Sequence, residues 1–205
     1  IEAYNARVTS VTLDPGPNYS PTWGVTSTTD NDQMFGDTGN DNLSGGAGND
    51  LVYGHFGDDS ISGGTGNDIL AGGAGEDTVS GGDGNDLVLA DIGEGADVYD
   101  GGTGDDTLSF GTATGDVSVD LAAGTARSGT GPSDTVSGIE HVTGGVGNDT
   151  LTGNSGDNKL VGGVGADLLQ AGGGADSLSG GLGSDTYLFQ AGDGNDTVSD
   201  AGDLS

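Results

Sequence analysis

The stretch GGTGNDILAGGAGEDTVSGGDGNDLVL, Gly63 to Leu89, is one nine-residue unit written three times. The unit has the form GGxGxDxUx, in which U is a large aliphatic or aromatic residue. Working outward, it reads again at GGAGNDLVY (Gly45–Tyr53), GGTGDDTLS (Gly101–Ser109), GGVGNDTLT (Gly144–Thr152), GGVGADLLQ (Gly162–Gln170) and GGLGSDTYL (Gly180–Leu188). Weaker copies keep the frame at STTDNDQMF (Ser27–Phe35), GDTGNDNLS (Gly36–Ser44), GHFGDDSIS (Gly54–Ser62), GNSGDNKLV (Gly153–Val161), AGGGADSLS (Ala171–Ser179) and AGDGNDTVS (Ala191–Ser199). Self-similarity at a fixed short period marks a solenoid, in which each unit covers its neighbour and none folds alone.

Composition agrees only if the repeat is taken into account. Glycine supplies 46 of 205 residues and hydrophobic residues only 31%, a balance that without register would predict disorder. Here the glycines fall at fixed positions where the backbone must turn tightly. The 33 acidic residues face only Arg7, Arg127 and Lys159, for a formal charge of −30. Such a chain repels itself until cations neutralise it. It also makes nucleic acid, anionic lipid and polyanionic glycans poor partners. There is no cysteine, hence no disulfide framework and no thiolate chemistry. No apolar run approaches membrane-spanning length. No Sec-type signal peptide opens the chain, and Ile1 is the start expected of a processed protein or a fragment.

The repeat divides the chain. Residues 1–26 precede it and read as a cap or as the tail of an upstream domain, with a short strand around Val8, Val11 and Leu13 and a turn-rich DPGPNYSP before Trp23. Residues 27–109 form a first repeat block, in which ADIGEGADVYD (Ala90–Asp100) carries two extra residues expected to bulge as a loop. Residues 110–143 read as an elaborated coil that keeps the solenoid continuous. Within it DVSVDL (Asp116–Leu121) alternates like a half-buried strand, GTARSGTGPSD is a turn-rich connector, and TVSGIEHVT (Thr135–Thr143) returns to frame with Glu140 where aspartate is usual. Residues 144–205 form a second repeat block.

The unit's chemistry follows from its spacing. GGxGxD makes a turn and xUx a short strand, so two units complete an 18-residue coil. Turns nine residues apart alternate between opposite edges, and turns 18 apart stack. The fold class expected is therefore all-β: a parallel β-roll, or right-handed β-solenoid, with calcium bound between the stacked GGxGxD turns. Ca²⁺ takes six to eight oxygens at about 2.3–2.6 Å, which stacked aspartates and glycine-exposed carbonyls can supply. The ladders expected are Asp41–Asp59–Asp77 on one edge and Asp50–Asp68–Asp86 on the other. Asp149, Asp167 and Asp185 continue in the second block, opposite Asn158 and Asp176. Asp97, Asp106 and Asp196 complete the set of candidate metal ligands. The U residues point inward: Leu43, Val52, Ile61, Leu70, Val79, Val88, Leu108, Leu151, Leu160, Leu169, Leu178, Tyr187 and Val198. Each unit thus orders nine residues for one or two buried side chains, and metal binding has to make up the difference.

Over Ser27–Ser199 these tandem units resemble the RTX (repeats-in-toxin) family of calcium-binding β-rolls. The family occurs in toxins, proteases, lipases, epimerases and adhesins exported by bacterial type I secretion. The resemblance implies a chain that leaves a calcium-poor cytoplasm unfolded, engages the type I secretion apparatus, and folds at the cell surface or outside on meeting Ca²⁺. It implies Asp50, Asp59, Asp68, Asp77, Asp86, Asp106, Asp149, Asp167, Asp176 and Asp185 as ligands.

No enzyme is legible within the chain; a catalytic domain would lie upstream of Ile1. His55 and His141 belong to no HExxH helix, and no serine sits in a G-x-S-x-G elbow. Glu140–His141 reads as part of the roll rather than as an acid/base pair, and Asp58–Asp59 and Asp105–Asp106 as turn carboxylates rather than a glycosidase dyad. An ice-binding threonine array is suggested by Thr38, Thr65 and Thr103 but broken by Ala47, Phe56, Ala74 and Asp83. Two alternatives to the secretion module remain. One is a surface adhesin or surface-layer module that binds glycan or itself. The other is an accessory module gripping substrate for a secreted polysaccharide enzyme.

Overall fold

The xUx triplets are rich in Val, Ile, Leu and Thr, which suit a pleated, half-buried surface, and in many units the strand runs on through the GGx that follows, as in NLSGGA at Asn42–Ala47, longer than the three residues expected. The computed structural model describes residues 11–12, 31–90 and 95–200, and every regular element among them is a strand. In chain order these are β1 (Val11–Thr12), β2 (Gln33–Thr38), β3 (Asn42–Ala47), β4 (Leu51–Phe56), β5 (Ser60–Thr65), β6 (Ile69–Ala74), β7 (Thr78–Asp83), β8 (Leu87–Leu89), β9 (Val98–Thr103) and β10 (Thr107–Ser109). They continue as β11 (Val117–Asp120), β12 (Thr125–Ser128), β13 (Asp134–Ser137), β14 (His141–Thr143), β15 (Thr150–Thr152), β16 (Lys159–Val164), β17 (Leu168–Gln170), β18 (Ser177–Leu182), β19 (Thr186–Leu188) and β20 (Thr197–Val198).

Through the repeats, successive strands alternate between two ten-stranded sheets. One sheet has the order β1-β2-β4-β6-β8-β10-β14-β16-β18-β20, the other β19-β17-β15-β11-β12-β13-β9-β7-β5-β3. Repeat neighbours pair in parallel, 18 residues apart: Ile61 lies beside Val79, and Leu70 beside Val88. The fold is a parallel β-solenoid. The two extra residues before Asp97 leave the register intact, since Val79 pairs with Tyr99; the bulge itself falls at residues 91–94, outside the described residues. So do Val8, Leu13 and Trp23.

The U side chains form one continuous core between the sheets. Val52, Leu70, Val79, Val88, Leu108, Leu151, Leu160, Leu169 and Leu178 are fully buried, and Leu43 and Ile61 nearly so. Two expected core residues differ. Tyr187 is half-buried and Val198 is 44% exposed. Both stand in the last strand of their sheet, β19 and β20, and have a paired strand on one side only among the described residues.

The irregular stretch departs from the repeat in one sheet. β10 passes directly to β14 in the first. In the second, β11, β12 and β13 form an antiparallel meander, joined in parallel to β15 at one side and β9 at the other. The expected strand at Asp116–Leu121 is β11, with Val117 and Val119 buried. The connector reading of GTARSGTGPSD needs correction. Its Thr125–Ser128 is β12, with Ala126 and Ser128 facing inward. A strand with one small apolar residue gives almost no alternation signal; pairing on both sides holds it.

Candidate metal centres

Each turn is shaped by glycines with different duties. The second glycine of the unit takes a left-handed conformation, φ +98° at Gly46 and +118° at Gly64, where a Cβ is strained. The first, where it is glycine, has no room for a side chain; Ala171 and Ala191 hold that position in two units of the second block. A Cβ on Gly36 would lie 2.5 Å from Asp41 Oδ2 and 2.6 Å from the Gly54 carbonyl oxygen, and the same collision recurs at Gly45, Gly63, Gly81 and Gly162. The absent side chain therefore leaves a small volume lined by a carboxylate oxygen of one turn and a backbone carbonyl of the next.

The aspartates stack as two ladders. On one edge the N–H of Asp41 donates to Asp59 Oδ1 (2.8 Å), that of Asp59 to Asp77 (2.7 Å), and that of Asp77 to Asp97 (2.8 Å). On the other edge Asp50 donates to Asp68 (2.7 Å), Asp68 to Asp86 (2.8 Å), and Asp86 to Asp106 (2.7 Å). In the second block Asp149 donates to Asp167, Asp167 to Asp185, and Asp176 to Asp196. One oxygen of each acceptor is thereby fixed by the backbone.

The other oxygen is left without a donor. Oδ2 of Asp41, Asp50, Asp59, Asp68, Asp86, Asp106, Asp167, Asp176 and Asp185 is buried and makes no hydrogen bond. Each such carboxylate is enclosed by glycine backbone, and where the carbonyl of the next turn shares its volume, two acceptors meet with nothing positive between them. Burying a charge that way is expensive, and the carboxyls respond. Burial pushes Asp59 up to about 7, against the N–H of Asp41 and with help from the charges of Asp77, Asp41 and Asp58. Burial likewise raises Asp68, Asp106 and Asp134 to about 6.

A hard divalent cation suits this donor set, which contains oxygen alone. Among the described residues no three acidic or imidazole side chains converge on a point. An ion between turns would be held by carboxylate oxygens, one or two at a time, and by backbone carbonyls.

All thirteen aspartates expected from the repeat fall on the two ladders, but their surroundings differ. Asp185 and Asp196 are half-buried near the last strands. Asp97 Oδ2 accepts the Tyr99 hydroxyl (2.9 Å), and Asp149 Oδ2 accepts the N–H of Gly145 (2.9 Å). Three ladder members were absent from the expected set. Asp32 donates its N–H to Asp50 (2.7 Å), Asp134 accepts that of Asp97 (3.1 Å), and Glu140 Oε2 accepts that of Asp106 (3.0 Å). A second, outer ladder also went unread. Asn31, Asn49 and Asn67 accept the N–H groups of Asn49, Asn67 and Asn85 through their side-chain oxygens, at 2.8–2.9 Å. Its signal is the frequent Asn or Asp immediately before the ladder aspartate.

The model of one protein family, described as the RTX calcium-binding nonapeptide repeat (four copies), matches residues 26–61, 53–88, 93–108, 134–169 and 152–187, together more than half of the chain. No curated protein matches it.

Proposed function

The chain belongs to the RTX calcium-binding nonapeptide-repeat family, and we propose that it is a calcium-driven folding module of a bacterial protein exported by type I secretion. The single observation that carries this reading is the row of buried, donorless Oδ2 atoms along both ladders. Without a cation they oppose folding; with one they become its ligands, and binding to a site absent from the unfolded chain is folding free energy. The ligands we assign are Asp41, Asp50, Asp59, Asp68, Asp77, Asp86, Asp106, Asp167, Asp176, Asp185 and Asp196, with carbonyls of the facing turns. In a calcium-poor cytoplasm the chain stays extended and fit for export. Outside, where modules of this kind are tuned to about 10⁻⁴–10⁻³ M, it folds. Its role is structural, and any catalysis of the parent protein belongs to another segment.

Far-UV circular dichroism during a Ca²⁺ titration tests the reading, with Mg²⁺ as control. A cooperative coil-to-β transition between about 0.1 and 10 mM Ca²⁺, absent with Mg²⁺, is expected. Full β structure in excess chelator would sink it.

A second reading, a surface adhesin or surface-layer module, is favoured by one surface. The rings of Phe35, Tyr53 and His55 lie about 6 Å apart on adjacent strands, Phe35 and Tyr53 stacked at 5.9 Å, and Phe56 beside them is 62% exposed. Retention of the calcium-loaded chain on immobilised neutral glycans, or self-association at rising concentration, would support it.

A further inference from the structure

We infer that the middle of the solenoid, from Asp97 on one edge and from beyond Asp106 on the other as far as Asn158, is a calcium-independent hub that joins two calcium-dependent arrays. The inference rests on the calcium reading of the flanking turns and departs from it here, because three turns in or bounding this stretch are closed by the chain's own donors. At Asp97, the Tyr99 hydroxyl donates to Oδ2 at 2.9 Å; at Asp59 and Asp68 the same oxygen is bare. At Asp149, the N–H of Gly145 donates to Oδ2 at 2.9 Å. At Asn158 the charge itself is gone. Its Oδ1 accepts the N–H of Asn154 (2.8 Å), and its Nδ2 donates to the Glu140 carbonyl (3.0 Å). Both polar atoms of the side chain are thus satisfied within the chain, and the turn holds no buried carboxylate charge.

The backbone of the last two turns agrees. In flanking units the second residue of the turn is left-handed, φ +118° at Gly64, +121° at Gly163 and +104° at Gly181. Gly145 and Asn154 hold the same position outside that region, and their N–H groups bond the side chain four residues on. These are consecutive turns on opposite edges of one coil, so that coil is closed at both sides. Asp106, whose Oδ2 is bare, marks the inner limit of the first array on its edge.

The hub also has another source of stability. Repeat units bury one large aliphatic residue each, with an alanine beside it in a few. The middle adds Tyr99, Phe110, Val117, Val119, Val136 and Ile139, all buried in the same core. Its β11–β12–β13 meander is built from antiparallel, short-range contacts, which close at lower entropic cost than parallel coils. Three strands with an apolar face satisfy the minimum for independent stability. Either array can then extend from a preformed template.

Amide hydrogen exchange of the full chain, in excess chelator and in saturating Ca²⁺, tests this. In chelator the amides of β11–β14 should exchange at least about tenfold more slowly than those of β4–β7 and β16–β18, the ratio given by about 1.4 kcal/mol of extra local stability. Calcium should then protect the flanks. A middle that exchanges freely in chelator and gains protection together with the flanks overturns the hub alone. Flanks already protected in chelator overturn both the hub and the calcium-driven reading. Asn158→Asp supplies a second measurement: restoring the carboxylate should raise bound calcium, counted by equilibrium dialysis, by about one ion per chain. An unchanged count contradicts the assignment of that turn as closed by its amide.

Discussion

At the scale of one residue, Asp68 carries two opposed duties. Oδ1 holds the N–H of Asp50 at 2.7 Å, a bond that needs only an acceptor. Oδ2 lies buried without a donor, in the volume over Gly63 that the Gly81 carbonyl also reaches. Asp68→Asn separates the duties. The amide oxygen keeps the first bond, while Nδ2, in the place of Oδ2, can donate to the Gly81 carbonyl that shares its volume. A buried charge is removed and one hydrogen bond gained, worth about 0.5–1.5 kcal/mol. The expected result is a chelated state no less folded than the parent, and a calcium midpoint several-fold higher, read by circular dichroism and calorimetric titration. A midpoint that does not move would remove Asp68 from the ligand set. The same logic explains the first glycine of the units that have one, such as Gly63 and Gly81. It is kept for the space over its Cα, which belongs to the site.

At the scale of the strand, the three residues xUx divide labour by position. Leu70 is fully buried while its neighbour Ile69 is 38% exposed. Leu70→Ala leaves a cavity that two stacked coils cannot collapse, costing about 2–5 kcal/mol, whereas Ile69→Ala should cost well under half of that. Denaturant unfolding in saturating Ca²⁺ should show the difference; equal losses would contradict the assigned core. The strands, their register and the ladder aspartates were legible because the unit repeats them in phase: Asp59 could be placed opposite Asp77 by counting. What was not legible lacks the repeat. Asp134 closes a segment that reads as a turn-rich connector and reaches Asp97 only through the antiparallel meander, which counting by 18 cannot find. Asn49 and Asn67 sit at a position written x, where Ala166 and Ser184 are tolerated, so the outer ladder is blurred. Tyr187 and Val198 obey the pattern, yet burial needs a neighbour on both sides, a property of position in the stack.

At the scale of the whole molecule, protons and calcium act on the same oxygens with opposite consequences for folding. Burial raises four of the ladder carboxyls furthest above their ordinary value of 3.8, Asp59 to about 7 and Asp68, Asp106 and Asp134 to about 6. In the unfolded chain they return to that ordinary value. The metal-free fold therefore binds more protons than the unfolded chain between roughly pH 4 and 7, and stability falls as pH rises through that window. Acidification also reduces the self-repulsion of a chain carrying a formal charge of −30. In excess chelator, β signal should thus grow as pH is lowered from 8 to 5, a range kept above the isoelectric point near 4.1. With calcium present the sign reverses. A protonated Oδ2 is no ligand, so the Ca²⁺ concentration at half-folding should rise as pH falls through the same window. Sodium chloride at constant pH separates these effects from plain screening: it weakens repulsion among exposed carboxylates but cannot reach a buried Oδ2, so it should reproduce little of the acid-induced β signal. Equal β signal from salt and from acid would mean that surface repulsion, rather than the buried ladders, keeps the metal-free chain open.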